Sequence, residues 1–211
     1  MKNHDYMIYF ICAFFLFSSN AFAWFWNSDS PEKLYSDIYK SFTVLLVSQN
    51  FAPKPGPELA KKRDLAKEEL NSNIPKVASS DLPLLRNNLS LFTEAIIAAN
   101  SESSNQMFSQ KPINFRDSPE IASFSKLFSK TPGLSECWEV VLKLLENQNI
   151  MIEKAKLNDP SLSPMQIALF QATIDLIKKQ DSKTFFDLLK MKNQEIKAMN
   201  EKVINDFLKR P

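Results

Sequence analysis

Histidine is almost missing from this chain: in 211 residues it occurs once, as His4. Glycine occurs only at Gly56 and Gly133, where an average chain of this length holds roughly fourteen. Cysteine is confined to Cys12 and Cys137. These shortages exclude chemistry before any pattern is read. Loops that cradle phosphate need several glycines in a short stretch. Triads and dyads built on imidazole, and the H-E-x-x-H zinc site, need a histidine inside the folded domain. Zinc would be left with a carboxylate shell, which it rarely adopts, and EF-hand spacing is absent. No catalytic, cofactor-binding or metal-ligating residue is therefore assigned. Excess charge of one sign is lacking as well, with 26 basic against 24 acidic residues. That balance gives no field to attract nucleic acid.

What is present is an ordinary supply of core material. Hydrophobic residues make up 44% and charged residues 24% of the chain, enough for one cored domain and too short for several. The first 23 residues read as a signal peptide. A short polar start with Lys2 is followed by the apolar run Met7 to Phe17, then Ser18-Ser19-Asn20 and Ala21-Phe22-Ala23. The last three place small residues where a signal peptidase accepts them, so cleavage is expected after Ala23. A rival reading keeps residues 7–26 as an inner-membrane anchor, with Trp24 and Trp26 at the interface. The polar Ser18, Ser19 and Asn20 within that span favour cleavage. The expected location is exported, periplasmic or secreted.

Cleavage removes His4 and Cys12, so the mature chain has no imidazole and Cys137 is its sole thiol. An intramolecular disulfide is then impossible, and stability has to come from apolar burial. The sequon Asn88-Leu89-Ser90 falls inside an expected helix and is read as chance.

Residues 24–211 are expected to form one all-α domain, a single bundle of about six or seven helices. Ser30-Pro31-Glu32, Ser118-Pro119-Glu120 and Ser163-Pro164-Met165 each offer an N-cap oxygen followed by proline at N1, where its missing N–H costs nothing. Leu34, Ile38, Phe42, Leu45 and Leu46 recur at helical spacing, as do Leu82, Leu85, Leu89, Phe92 and Ile96. A charged helix from Glu58 to Leu70 and a short one with Ile121, Phe124 and Phe128 are placed on the surface. Pro132-Gly133 precedes a long helix carrying Trp138, Val141, Leu142, Leu145 and Ile152, which ends near Asn158-Asp159-Pro160. Ile167, Phe170, Ile174 and Ile177 mark another helix. Phe185, Leu189, Ile196, Met199, Val203 and Phe207 mark a terminal one whose other face is charged. No segment alternates as a strand does. Short connections imply antiparallel neighbours, and a polar loop is expected near residues 100–117.

Few residues invite a chemical role. Ser123-Phe124-Ser125-Lys126 matches S-x-x-K, but neither S-D-N nor K-T-G follows, so it reads as a helix face. Glu136 and Glu139 form a carboxylate pair at a helix start, where acids also complement the macrodipole. Cys137 lies in the same turn and reads as a buried, inert thiol, the alternative being an intermolecular disulfide. Trp24-Phe25-Trp26 would be left at the mature N-terminus, to fold back on the bundle or to meet a partner groove or a membrane surface. Seventeen phenylalanines either close-pack or line a cavity for a lipid or other apolar ligand. The basic terminal helix has interspersed acids, which suits a solvated face better than a lipid-bound one. Taken together, the residues predict an exported helical-bundle interaction protein without intrinsic catalysis, with a protein partner. The alternatives are a carrier of a small hydrophobe and, less well supported, an enzyme using a carboxylate or Ser-Lys pair.

Overall fold

The computed structural model describes residues 33–51, 56–108, 114–162, 164, 167 and 182–209. The signal-peptide segment, the anchor alternative, Trp24-Phe25-Trp26, the helix starts at Ser30 and Ser163, and nearly all of the helix marked by Ile167, Phe170, Ile174 and Ile177 lie outside them. The described residues fold as an all-α bundle of six α-helices with no strand. In chain order these are α1 (Lys33–Phe51), α2 (Pro57–Asn73), α3 (Leu82–Phe108), α4 (Pro119–Phe128), α5 (Leu134–Lys156) and α6 (Ser182–Leu208). None of them is long and apolar enough to cross a membrane.

Helix α1 lies at the centre. From Ile38 to Ser48 only Lys40 and Val44 are less than fully buried, which marks a helix surrounded by neighbours instead of one with a wet face. It touches α2, α3, α5 and α6. Its buried hydroxyls are each used. Thr43 donates to the Tyr39 carbonyl at 2.7 Å, Ser41 to Glu69 of α2 at 2.6 Å, and Ser48 accepts from Arg63 of α2 at 2.8 Å. The pairings 41 with 69 and 48 with 63 run in opposite senses, so α1 and α2 are antiparallel.

That contact gives the charged second helix, which lies on the surface as expected, a buried edge. Leu59, Ala66 and Leu70 are buried against the core, because apolar residues four and seven apart form a stripe even where the average composition is polar. The short helix α4 also lies on the surface, as expected, with Ser123, Lys126 and Leu127 exposed, but it anchors in the core through Ile121 and Phe128 at 0% and 1% exposure. Phe124 and Phe128 stack at 5.9 Å, and Phe92 of α3 and Trp138 of α5 close on Phe128 edge-on at 5.7 and 5.6 Å. The Trp138 indole N–H donates to Ser125 at 2.8 Å, so the one polar atom of that ring enters the core satisfied.

Helix boundaries follow local chemistry, with two departures from expectation. Ser118 precedes α4 with proline following, but its side chain makes no cap bond. The capping is done upstream, where Asn114 accepts from the Arg116 N–H at 3.1 Å. The polar loop also starts later than expected: α3 continues through Asn100 to Phe108. Ser101 and Ser104 donate back to the Ile97 and Asn100 carbonyls at 2.9 and 2.7 Å, which lets polar side chains persist inside a helix. Helix α5 ends as the sequence suggests. Asn158 takes φ 51°, Asp159 N–H reaches the Lys154 carbonyl at 3.0 Å, and Asn158 N–H reaches that of Ala155 at 3.1 Å. This is the Schellman arrangement, with asparagine in the left-handed position usually held by glycine.

Not all neighbours are antiparallel. Ser103 of α3 meets Asn149 of α5 at 3.1 Å, and Phe92 meets Trp138 at 6.3 Å. Both pairs are 46 residues apart, so α3 and α5 run parallel. The short helix α4 carries the chain back between them.

Candidate functional site

Helices α3 and α6 pack through a seam unlike the rest of the interior. Arg86 donates to Asn205, Lys197 meets Glu94 at 3.4 Å, and the Asn193 amide N–H donates to Ser101 at 2.9 Å. Numbers rise on one helix as they fall on the other, so the pair is antiparallel, and Thr93 stands at the level of Asn200.

Asn200 is at 0% exposure, and neither its Oδ1 nor its Nδ2 has a hydrogen-bond partner. Thr93, at 2% exposure, has an unpartnered hydroxyl, and the Oδ1 of Asn193 is unpartnered as well. The contrast with Thr43, which donates to its own helix, shows that Thr93 forgoes the usual local solution. These four atoms are the orphaned buried side-chain polar atoms among the described residues, and all lie on α3 and α6. An unmatched buried polar atom costs on the order of 1–3 kcal/mol. Around them the apolar contribution of α6 comes from Ile196, Val203, Ile204 and Leu208, with Phe207 edge-on to Phe42 at 5.9 Å. The seam thus holds a helix against the bundle while withholding partners from its most deeply buried amide.

A second polar constellation is fully matched. Arg116 sits between Glu139 and Glu146, which are seven residues apart on one face of α5. Its guanidinium donates to Glu139 at 2.9 and 3.0 Å and to Glu146 at 2.8 Å, with a further bond from Nε to Glu146. Partial burial works to lower the Arg116 pKa. Hydrogen bonds and charge from the two glutamates outweigh it and raise the pKa overall. Beside it, Gln106 accepts from the Phe115 N–H at 3.3 Å and from Asn149 at 3.1 Å. The cluster pins the segment before α4 to α5, and its carboxylates are already committed to the cation.

The residues singled out from the sequence fall as follows. Glu139 faces Arg116, whereas Glu136 is exposed, so the two acids are not brought together on a cleft. Ser123 and Lys126 are both exposed, and the other serine of that stretch, Ser125, is engaged by Trp138 and by the Ile121 carbonyl. Cys137 is at 0% exposure, and burial pushes its thiol up to about 12, with Thr43 and Lys40 opposing weakly. A thiol so placed is protonated near neutrality and closed to a second chain's cysteine. Trp24, Phe25 and Trp26 lie outside the described residues. No motif or spacing in the sequence marks Asn200, Asn193 or Thr93 as functional. The available signal was a polar residue at a position where the helical stripe calls for an apolar one.

No family model matches this chain, and neither does any curated protein or solved structure.

Proposed function

We propose that the protein is an exported helical-bundle module that acts by binding a protein partner, without catalysis of its own. The observation that carries this reading is the buried, unpartnered amide of Asn200 in the α3–α6 seam. A leucine-like residue there would hold the bundle better. A position that sacrifices stability is expected where recognition, not folding, sets the residue. The predicted signal peptide supports export, and the loss of His4 with it removes the imidazole that most proton-transfer chemistry uses. The fully matched Arg116 cluster and the closed thiol of Cys137 are features of a scaffold.

Site-specific photo-cross-linking in the intact cell envelope tests it, with the reactive side chain placed in turn at the exposed Leu84, Ile150, Leu157 and Met199. The reading predicts a discrete adduct of higher mass from at least one position, on a chain whose intact mass shows residues 1–23 removed. Absence of any adduct, or turnover of a substrate by the purified chain, contradicts it.

A further inference from the structure

Counting in sevens along α6 sorts its residues into an ordered pattern. Phe186, Asn193, Asn200 and Phe207 share one position of the heptad, a. Leu189, Ile196 and Val203 share d. This is the a/d seam of a coiled-coil helix, with asparagine at two successive a positions. The flanks of that seam are basic. Lys183, Lys190 and Lys197 recur at e and Lys192 stands at g, while Asp187, Glu195 and Glu201 lie on the outer positions and Asp206 alone is an acid at g.

Packed on α3, the seam is half matched. Glu94 answers Lys197, but both are half exposed, and Lys190 faces solvent. The two a-position asparagines hold three of the four orphaned atoms, both of Asn200 and the Oδ1 of Asn193. In coiled coils a polar residue at a selects a partner with a polar residue opposite, and e/g charges select one of opposite sign.

We infer that α6 exchanges its contact with α3, and that of Phe207 with Phe42 of α1, for a parallel coiled-coil contact with an acidic amphipathic helix of a partner protein. That helix carries glutamate or aspartate at its e and g positions and an amide side chain facing Asn200. The inference rests on the binding reading above and names the occupant. Charge complementarity distinguishes it from a second copy of this chain, since parallel self-pairing sets Lys192 against Lys197 of the other helix. The orphaned amides distinguish it from a simple swap of α6 between two bundles, which leaves Asn200 where it was.

The full chain is titrated with a labelled synthetic helix carrying Glu at e and g, Asn at a and Leu at d, and with the same peptide bearing Lys at e and g. Anisotropy is expected to show saturable binding of the acidic peptide, about tenfold or more tighter than the basic one, and weakening as salt is raised. The double variant Lys190→Glu/Lys197→Glu alters exposed side chains and is expected to stay folded, with a slightly lowered melting temperature from losing the exposed Lys197–Glu94 pair, while reversing the preference. Asn200→Leu is expected to keep the fold and weaken binding of both peptides. Equal binding of the two peptides, no binding, or a preference that the double variant leaves unchanged overturns the inference. So does a sedimentation result in which the unmodified chain pairs with itself through α6. Cross-linked adducts confined to Ile150 and Leu157, with no peptide bound, would preserve the binding reading and remove this occupant alone.

Discussion

Gly133 rests against Ser36: a Cβ on the glycine would lie 2.6 Å from the Ser36 Cα. The same residue has φ +79°, in the left-handed region where a side chain is strained. One of the chain's two glycines is therefore fixed twice, by its backbone angle and by the approach of α1 to the start of α5. Gly133→Ala is expected to cost about 2–4 kcal/mol, from the strain of the turn and the displacement of α1. Urea denaturation checks it, with the midpoint lowered and the slope unchanged.

Arg116 holds the segment before α4 to α5 through four donor contacts. Replacing it by alanine leaves Glu146 without this cation and Glu139 with only Lys143 at 4.0 Å. The loss is expected to be about 1–3 kcal/mol, the side chains being partly wet. Glu146→Gln is expected to cost less, because an amide still accepts from the guanidinium. Equal losses for the two variants in chemical denaturation would show that packing, and not the ion pairs, sets the effect.

The thiol of Cys137 is raised from 9.0 to about 12 by burial, and burial also raises the Tyr39 phenol. A group whose folded pKa lies above its unfolded one favours the folded state while protonated, and that advantage is lost as pH climbs between the two values. Stability is thus expected to be level through neutrality and to fall between pH 9 and about 12. A thiol reagent at pH 8 is expected to label the native chain only as fast as it unfolds, with full labelling in denaturant. Rapid labelling of the native chain would place Cys137 nearer the surface than this fold does.

Much of this fold is written in local patterns. The stripes of α1, α3 and α5 follow from leucine and phenylalanine at three- and four-residue spacing, and Asn158-Asp159-Pro160 announces the end of α5. Distant contacts decide the rest. The stripe of Leu59, Ala66 and Leu70 is legible within residues 58–70, but the neighbour that covers it is not: Arg63 and Glu69 bond to serines of α1. The extension of α3 past Asn100 depends on serines bonding back to its own carbonyls and on Asn149 and Asn193 meeting Ser103 and Ser101. Composition alone reads such a stretch as loop. The polar seam is not legible in the sequence for a related reason. Asn200 interrupts an apolar stripe that is legible without it, and its lack of a partner is a property of α3, not of α6.

Asn200, as proposed, is kept for recognition at the expense of the bundle, and one paired measurement on Asn200→Leu tests it. Removing two unpartnered buried atoms for a side chain of similar size is expected to raise stability by about 1–3 kcal/mol, read as a higher midpoint in urea. Recovery of the cross-linked partner at Met199 is expected to drop in the same variant. A variant that is less stable than the parent, or more stable with partner recovery intact, contradicts the account.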